Sequence, residues 1–189
     1  MPDDSNPDNT AAGWMPGDLT AKQLAERIIR VDHAGEYGAE QIYRGQLAVL
    51  GRRSSAAVVR NMADQERRHL EEFSRVLVER QVRPTLLQPL WQVAGFALGA
   101  VSALAGEKTA MACTVAVEEV IVDHYASQAE RLGDNDDELR EMLEEYGAEE
   151  AEHRDQALAS GAEQAPGYDL FSGMVRRGTR LAIWLSERI

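Results

Sequence analysis

Two short motifs place a carboxylate and an imidazole three residues apart: Glu66-Arg-Arg-His69 and Glu150-Ala-Glu-His153. On an α-helix that spacing leaves the two side chains about 60° apart, on one side and one turn apart along the axis. Each motif is preceded by a lone glutamate at a matched interval. Glu36 stands 30 positions before Glu66, and Glu118 stands 32 positions before Glu150. The chain thus carries one pattern twice, a Glu followed by a Glu-x-x-His.

The neighbours at helical spacing show which way these groups face. Glu36 lies on the line Ile29, Glu36, Tyr43, Leu50. Glu66 and His69 lie on Val59, Met62, Glu66, His69, Phe73, Val76, and Glu118 on Met111, Val115, Glu118, Val122, Tyr125, Leu132. Glu150 and His153 lie on Leu139, Leu143, Tyr146, Glu150, His153, Ala157. These are apolar stripes, the faces a helix buries. An ionised carboxylate in such a place is costly unless something pairs with it. Lysine and arginine lie mostly off these lines, so they cannot neutralise four buried glutamates. Two divalent cations would match four carboxylates, and neutral imidazoles would complete the shell. Mixed carboxylate and imidazole donors suit redox-active iron or manganese better than magnesium. A lone Glu-x-x-His in an acidic chain is usually a solvated face. Two of them on apolar stripes, each with a striped glutamate before it, are not explained that way.

Phase separates the remaining candidates. Glu119 falls beside the stripe that holds Glu118, and Glu149 and Glu152 flank the one that holds Glu150 and His153. His33 and His124 lack the pattern and are assigned structural roles, with His124 close enough to hydrogen-bond near the site. Tyr125, two turns after Glu118, is the better candidate for bonding a metal-bound carboxylate, because a buried phenol needs a partner. Cys113 is assigned to the core.

The elements that must position these groups are helices. The periodicity predicts them at about 20–50, 54–82, 86–105, 107–132, 136–160 and 169–188. Asp18 or Thr20 caps the first, with Gln23 three residues after Thr20. Gly51, Pro84, Pro89, Gly106, Gly133-Asp-Asn135 and Ala165-Pro-Gly167 supply the breaks. No stretch alternates with period two, so the class is all-α. Four helices bearing this ligand pattern form the di-iron or di-manganese bundle of the ferritin-like kind. Residues 1–18 read as a tail too poor in apolar residues to order, with no signal-like apolar run and no arginine, and 19–189 as one domain.

With 32 acidic against 20 basic residues, the net charge of −12 argues against nucleic acid as a partner. The single cysteine excludes an internal disulfide and a multi-cysteine zinc or iron–sulfur site. No G-x-G-x-x-G motif is present, so no nucleotide domain is expected.

Two segments exceed what a soluble bundle needs. Residues 84–106 carry no charge over 23 positions, long enough to span a bilayer. Pro89, Gly95 and Gly99 interrupt it, and the helix pairs on its two sides must meet in one bundle. It is therefore expected as an apolar crossover helix, with Leu90, Trp91 and Phe96 available for membrane insertion. Gly95-Phe-Ala-Leu-Gly99 offers a close-approach surface for another helix or for the core. The last helix is basic and amphipathic: Phe171, Met174, Val175, Leu181 and Leu185 lie on one side, Arg176, Arg177 and Arg180 toward another. That arrangement suits an anionic membrane surface.

Val31-Asp-His-Ala-Gly-Glu36-Tyr-Gly-Ala, Ile42-Tyr-Arg-Gly-Gln46, Arg83-Pro-Thr, Gly95-Phe-Ala-Leu-Gly-Ala100, Met111-Ala-Cys-Thr-Val-Ala-Val-Glu-Glu119 and Leu185-Ser-Glu-Arg-Ile189 resemble the demethoxyubiquinone hydroxylases of ubiquinone biosynthesis. The resemblance runs from about residue 28 to the C-terminus. It implies an O₂-dependent di-iron monooxygenase that hydroxylates a polyprenylated methoxy-benzoquinol ring. Its ligands fall on Glu36, Glu66, His69, Glu118, Glu150 and His153, the set chosen by the stripes. It also implies two iron ions, NADH or a quinol as reductant, and peripheral attachment to a membrane. For a bacterial enzyme that is the cytoplasmic face of the inner membrane; for a mitochondrial one, the matrix face. Partner proteins of the same pathway and self-association stay open. The competing expectation is a ferritin-like iron-binding or peroxide-scavenging protein.

Overall fold

The computed structural model describes residues 18–189; the expected tail, Asp18 aside, lies outside the described residues. Six α-helices follow in order: α1 (Ala21–Leu50), α2 (Ala56–Glu79), α3 (Gln88–Leu104), α4 (Glu107–Leu132), α5 (Asp137–Ala159) and α6 (Tyr168–Ser186). Short 3₁₀ turns at Gly133–Asn135 and Ala162–Gln164 link the last three, and there is no strand among the described residues.

Local chemistry sets the boundaries. Thr20 caps α1 through a capping box: its hydroxyl accepts from the Gln23 backbone N–H, and the Gln23 side chain accepts from the Thr20 N–H. Asp136 caps α5 by accepting from the Leu139 N–H. Glu107, in the first turn of α4, accepts from the Ser55 N–H and from both Ser54 and Ser55 hydroxyls, which ties the starts of α2 and α4 together. The second helix stops at Glu79, short of the expected 82. Gln81 adopts φ 55°, which turns the chain out of the helix and lets Val82 tuck into the core.

Helices α1, α2, α4 and α5 form the bundle. One apolar cluster holds Tyr43, Leu50, Met62, Met111 and Val115; a second holds Ile28, Ile29, Phe73, Leu132, Leu139 and Leu143. On each helix the glutamates and histidines of interest fall between residues of the first cluster and residues of the second. They form a polar layer between two apolar halves. The stripes are buried as expected except at Val122, which is half-buried.

Helix α3 lies against α1 at very short range. A Cβ at Gly99 would sit 1.9 Å from the Ile42 carbonyl oxygen, one at Gly45 2.2 Å from the Phe96 carbonyl, and one at Gly95 2.8 Å from the Gly38 carbonyl. The Gly95/Gly99 pair is therefore an intramolecular packing face. The other side of α3 is exposed at Leu90, Val93, Phe96 and Val101. Trp91 departs from the insertion set: it is half-buried, and its indole N–H donates to the Ser186 hydroxyl of α6 at 3.0 Å. Arg176 departs likewise from the membrane-facing set, since its guanidinium pairs with Glu119 at 2.8 Å. On α6 the apolar residues divide, Val175 facing the core and Met174, Leu181 and Trp184 facing out. Among the described residues no helix is long and apolar enough to cross a membrane.

Candidate metal centre

Glu36 from α1, Glu66 and His69 from α2, Glu118 from α4, and Glu150 and His153 from α5 are each no more than 3% exposed. Their donor atoms gather into two groups, each with all atoms within 4.8 Å of one another: Glu36, Glu66, His69 and Glu150; and Glu66, Glu118, Glu150 and His153. Glu66 and Glu150 belong to both. The twofold pattern of the sequence thus becomes two overlapping donor sets with two shared carboxylates. His69 Nδ1 lies 3.1 Å from Glu150 and 3.5 Å from Glu36. His153 Nδ1 lies 2.9 Å from Glu150 and 3.1 Å from Glu66.

The electrostatics of the protein alone are unfavourable. Burial, reinforced by the charge of Glu150, pushes the Glu118 carboxyl up to about 8 and the Glu66 carboxyl well above the ordinary carboxylate range. Burial would raise Glu150 too, but the His153 and His69 imidazoles beside it bring it down to about 2. The imidazoles are driven the opposite way. Against their own burial, the adjacent carboxylates lift His69 to about 12 and His153 to about 11. Even so, Glu36 Oε2, Glu66 Oε1 and His69 Nδ1 are buried without a hydrogen bond. Such atoms cost their desolvation unless a cation accepts their lone pairs. The donor set, all carboxylate oxygen and imidazole nitrogen, fits a pair of iron or manganese ions.

Around this layer lie groups that hold the donors in place. The Tyr125 hydroxyl donates to Glu36, as its place on the stripe suggested. The Tyr43 hydroxyl donates to Glu118 at 2.7 Å, an equivalent bond that the sequence left unassigned. His69 Nε2 meets Glu149 at 2.7 Å, and His153 Nε2 meets the Gln65 side-chain oxygen at 2.9 Å. The Tyr146 ring stacks on His69 with centroids 4.0 Å apart, and its hydroxyl donates to Glu72 at 2.6 Å. His124 touches none of the six. It bonds Gln128 at 2.9 Å and lies 3.5 Å from Asp32, itself buried. Glu152 is exposed, and His33 is buried but belongs to neither donor group. Burial raises the Cys113 thiol to about 12, which leaves it protonated and inert.

A cavity of about 260 Å³ reaches this layer. Glu36, Glu66, Glu118 and Glu150 form its inner end, and Asp32 and His124 line it. Its walls are aliphatic, with Ile42, Leu98, Val117 and Ile121 from α1, α3 and α4, and Gly178, Thr179 and Ala182 of α6 complete it. An apolar molecule with one polar end is the kind of ligand such a space accepts.

Comparison with known proteins agrees with this chemistry. The family model described as ubiquinone biosynthesis protein COQ7 matches residues 23–186. The chain is 53% identical over 181 residues to a 3-demethoxyubiquinol 3-hydroxylase of Rhodospirillum rubrum, covering 95% of this chain and 85% of that one. It is 50% identical over 179 residues to the mitochondrial NADPH-dependent 3-demethoxyubiquinone 3-hydroxylase of Homo sapiens, covering 93% and 82%. It is 37% identical over 181 residues to the mitochondrial 5-demethoxyubiquinone hydroxylase of Saccharomyces cerevisiae, covering 87% and 78%.

Proposed function

The chain belongs to the ubiquinone biosynthesis protein COQ7 family, and we propose that it hydroxylates the ring of a polyprenylated demethoxyubiquinol with a pair of iron ions. The observation that carries this reading is the aliphatic cavity whose inner end is the buried glutamate layer. Glu66 and Glu150, common to both donor sets, would serve both ions. Glu36 with His69 completes one position, and Glu118 with His153 the other. Bound there in its reduced state, the pair supplies the activation of O₂ that puts one oxygen on the ring.

The chain's own residues do the rest. The aliphatic walls take the ring and the start of the prenyl tail and keep water from the reacting end. Tyr125 and Tyr43 each donate to a terminal carboxylate and so limit its rotation. Asp32 and His124, which line the cavity, are placed to hold a quinol hydroxyl, and Gln128, outside the lining, hydrogen-bonds to both. A polyprenyl substrate dissolves in a bilayer. The exposed Leu90, Val93 and Phe96 of α3 and Leu181 and Trp184 of α6 are suited to rest the protein on that surface. The electrons come from a reduced nicotinamide or a quinol; the human relative's name states NADPH dependence. In a bacterial cell the protein would sit on the cytoplasmic face of the inner membrane.

The test is anaerobic loading with Fe(II), then addition of O₂ and a demethoxyquinol analogue, with mass analysis of the product. Hydroxylated quinol and two irons per chain support the reading. Two irons with fast peroxide turnover and no hydroxylated product would instead make it a ferritin-like scavenger.

A further inference from the structure

Both histidines turn Nδ1 toward the carboxylate layer and Nε2 away from it. The two outward nitrogens meet chemically different partners. His69 Nε2 is 2.7 Å from a carboxylate oxygen of Glu149, which also lies 3.6 Å from the Arg68 guanidinium. His153 Nε2 is 2.9 Å from the amide oxygen of Gln65, which is held in turn by Asn61 at 3.5 Å. An acceptor on Nε2 keeps the imidazole proton there and leaves the Nδ1 lone pair free for a cation. A carboxylate does this more strongly than an amide, because its bond is charge-assisted and polarises the ring.

Apart from the Tyr146 ring stacked on His69, the rest of the layer is closely matched. Each terminal carboxylate receives one tyrosine hydroxyl, Tyr125 on Glu36 and Tyr43 on Glu118. Glu66 and Glu150 are common to both donor sets. The backing of the imidazoles is where the halves differ. We propose that Glu149 and Gln65 are positioning residues that make the two cation positions unequal, so that the position formed with Glu36 and His69 binds a divalent cation more tightly than the one formed with Glu118 and His153. This rests on the reading that the layer holds two metal ions. Neither Glu149 nor Gln65 lines the cavity, so both can be altered without touching a substrate contact.

The experiment is a Co(II) titration of the metal-free full chain, followed by calorimetry and by the visible Co(II) bands. The wild type is expected to take up two Co(II) per chain in two resolved steps. Glu149→Gln should weaken the tighter step by about 10–100-fold and leave the weaker one in place. Gln65→Glu should tighten the weaker step and bring the two together. Glu149→Asp should restore part of the loss, because it restores the charge. If both steps are unchanged in Glu149→Gln, or both weaken equally, the proposal is wrong. If the wild type binds fewer than two Co(II), the proposal falls together with the two-metal reading. A binding loss accompanied by an equal fall in metal-free thermal stability would mark Glu149 as a packing residue and also overturn it. Should Glu149→Gln not fold, Gln65→Glu alone decides: no tightening refutes the inequality.

Discussion

Each buried glutamate here stands among apolar neighbours on its own helix, and that is why the burial and convergence of all six candidate donors were legible in the sequence. Burial phase is a property of one helix, and the stripes report it directly. Glu149 and Gln65 were not legible for the complementary reason. They sit beside their stripes, and they matter because a long side chain reaches a histidine on the neighbouring helix, which depends on interhelical distance. Glu66→Ala or Glu150→Ala should therefore abolish hydroxylation and iron retention while circular dichroism shows the helices intact. Each removes a shared candidate donor, and Glu66→Ala also removes a carboxylate whose ionised form is costly to bury without metal. Full turnover in either variant would mean the donors are misassigned. Glu119→Gln is expected to be mild: it loses a partly exposed pair with Arg176, worth about 1 kcal/mol or less, and stays off the donor line. Iron analysis and a melting curve check both halves of that statement.

The same residues fix the pH dependence of the metal-free protein. Glu118 is raised to about 8, His69 to about 12 and His153 to about 11. Groups raised in the folded state bind protons more tightly there than when unfolded. Their contribution is present below the unfolded values and is lost as pH rises toward the folded ones. Glu150, lowered to about 2, acts oppositely, and its contribution fades as pH falls below the ordinary carboxylate value. The melting temperature of the metal-free protein should thus be highest near pH 5 and fall by pH 8.5. Saturating Fe(II) under anaerobic conditions should remove much of the alkaline fall. A metal-free melting temperature that rises from pH 5 to 8.5 would contradict this account of the layer.

At the scale of elements, the breaks set by glycine and proline and the caps placed the helices well, because those signals are local. The end of α2 was misplaced because a positive φ at Gln81 has no strong local signature. The glycine pair of α3 was legible as a close-approach face, but not its partner, since small residues do not name what approaches them. The partner is α1 of the same chain, and its Gly45 completes the contact. Gly45→Ala and Gly99→Ala should each cost about 1–3 kcal/mol, because the added carbon meets backbone atoms of the facing helix. Urea unfolding measures this. Gly38→Ala, with open space at its Cβ, is the control and should not carry that overpacking penalty.

Across the whole molecule, α3 both lines the apolar cavity and carries an exposed apolar face, whereas Glu149 does not line the cavity and meets His69 and Arg68 of α2. Replacing Leu90, Val93 and Phe96 with Ser should release the protein from anionic liposomes and raise KM for a long-chain quinol more than for a short one. Each side chain is worth about 1.5–3 kcal/mol when fully buried in an apolar phase. Arg177 and Arg180, both exposed, add a part that salt should weaken. Trp91→Ser should behave differently, lowering thermal stability and damaging turnover of both substrates alike, because its indole is bonded to Ser186 inside the fold. If the triple variant merely melts earlier and still binds liposomes, the outward face of α3 has no role at the membrane.

In the proposed reaction the glutamate and histidine layer, loaded with iron, activates O₂ for insertion into a ring held in the adjoining cavity. The most direct measurement is a single turnover of the Fe(II)-loaded protein with ¹⁸O₂ and a demethoxyquinol analogue, read by mass spectrometry. Incorporation of one ¹⁸O atom into the new ring hydroxyl, lost in Glu66→Ala, is the expected result. Product whose new oxygen comes from water, or consumption of O₂ by the two-iron protein with no oxygen entering the ring, would contradict it.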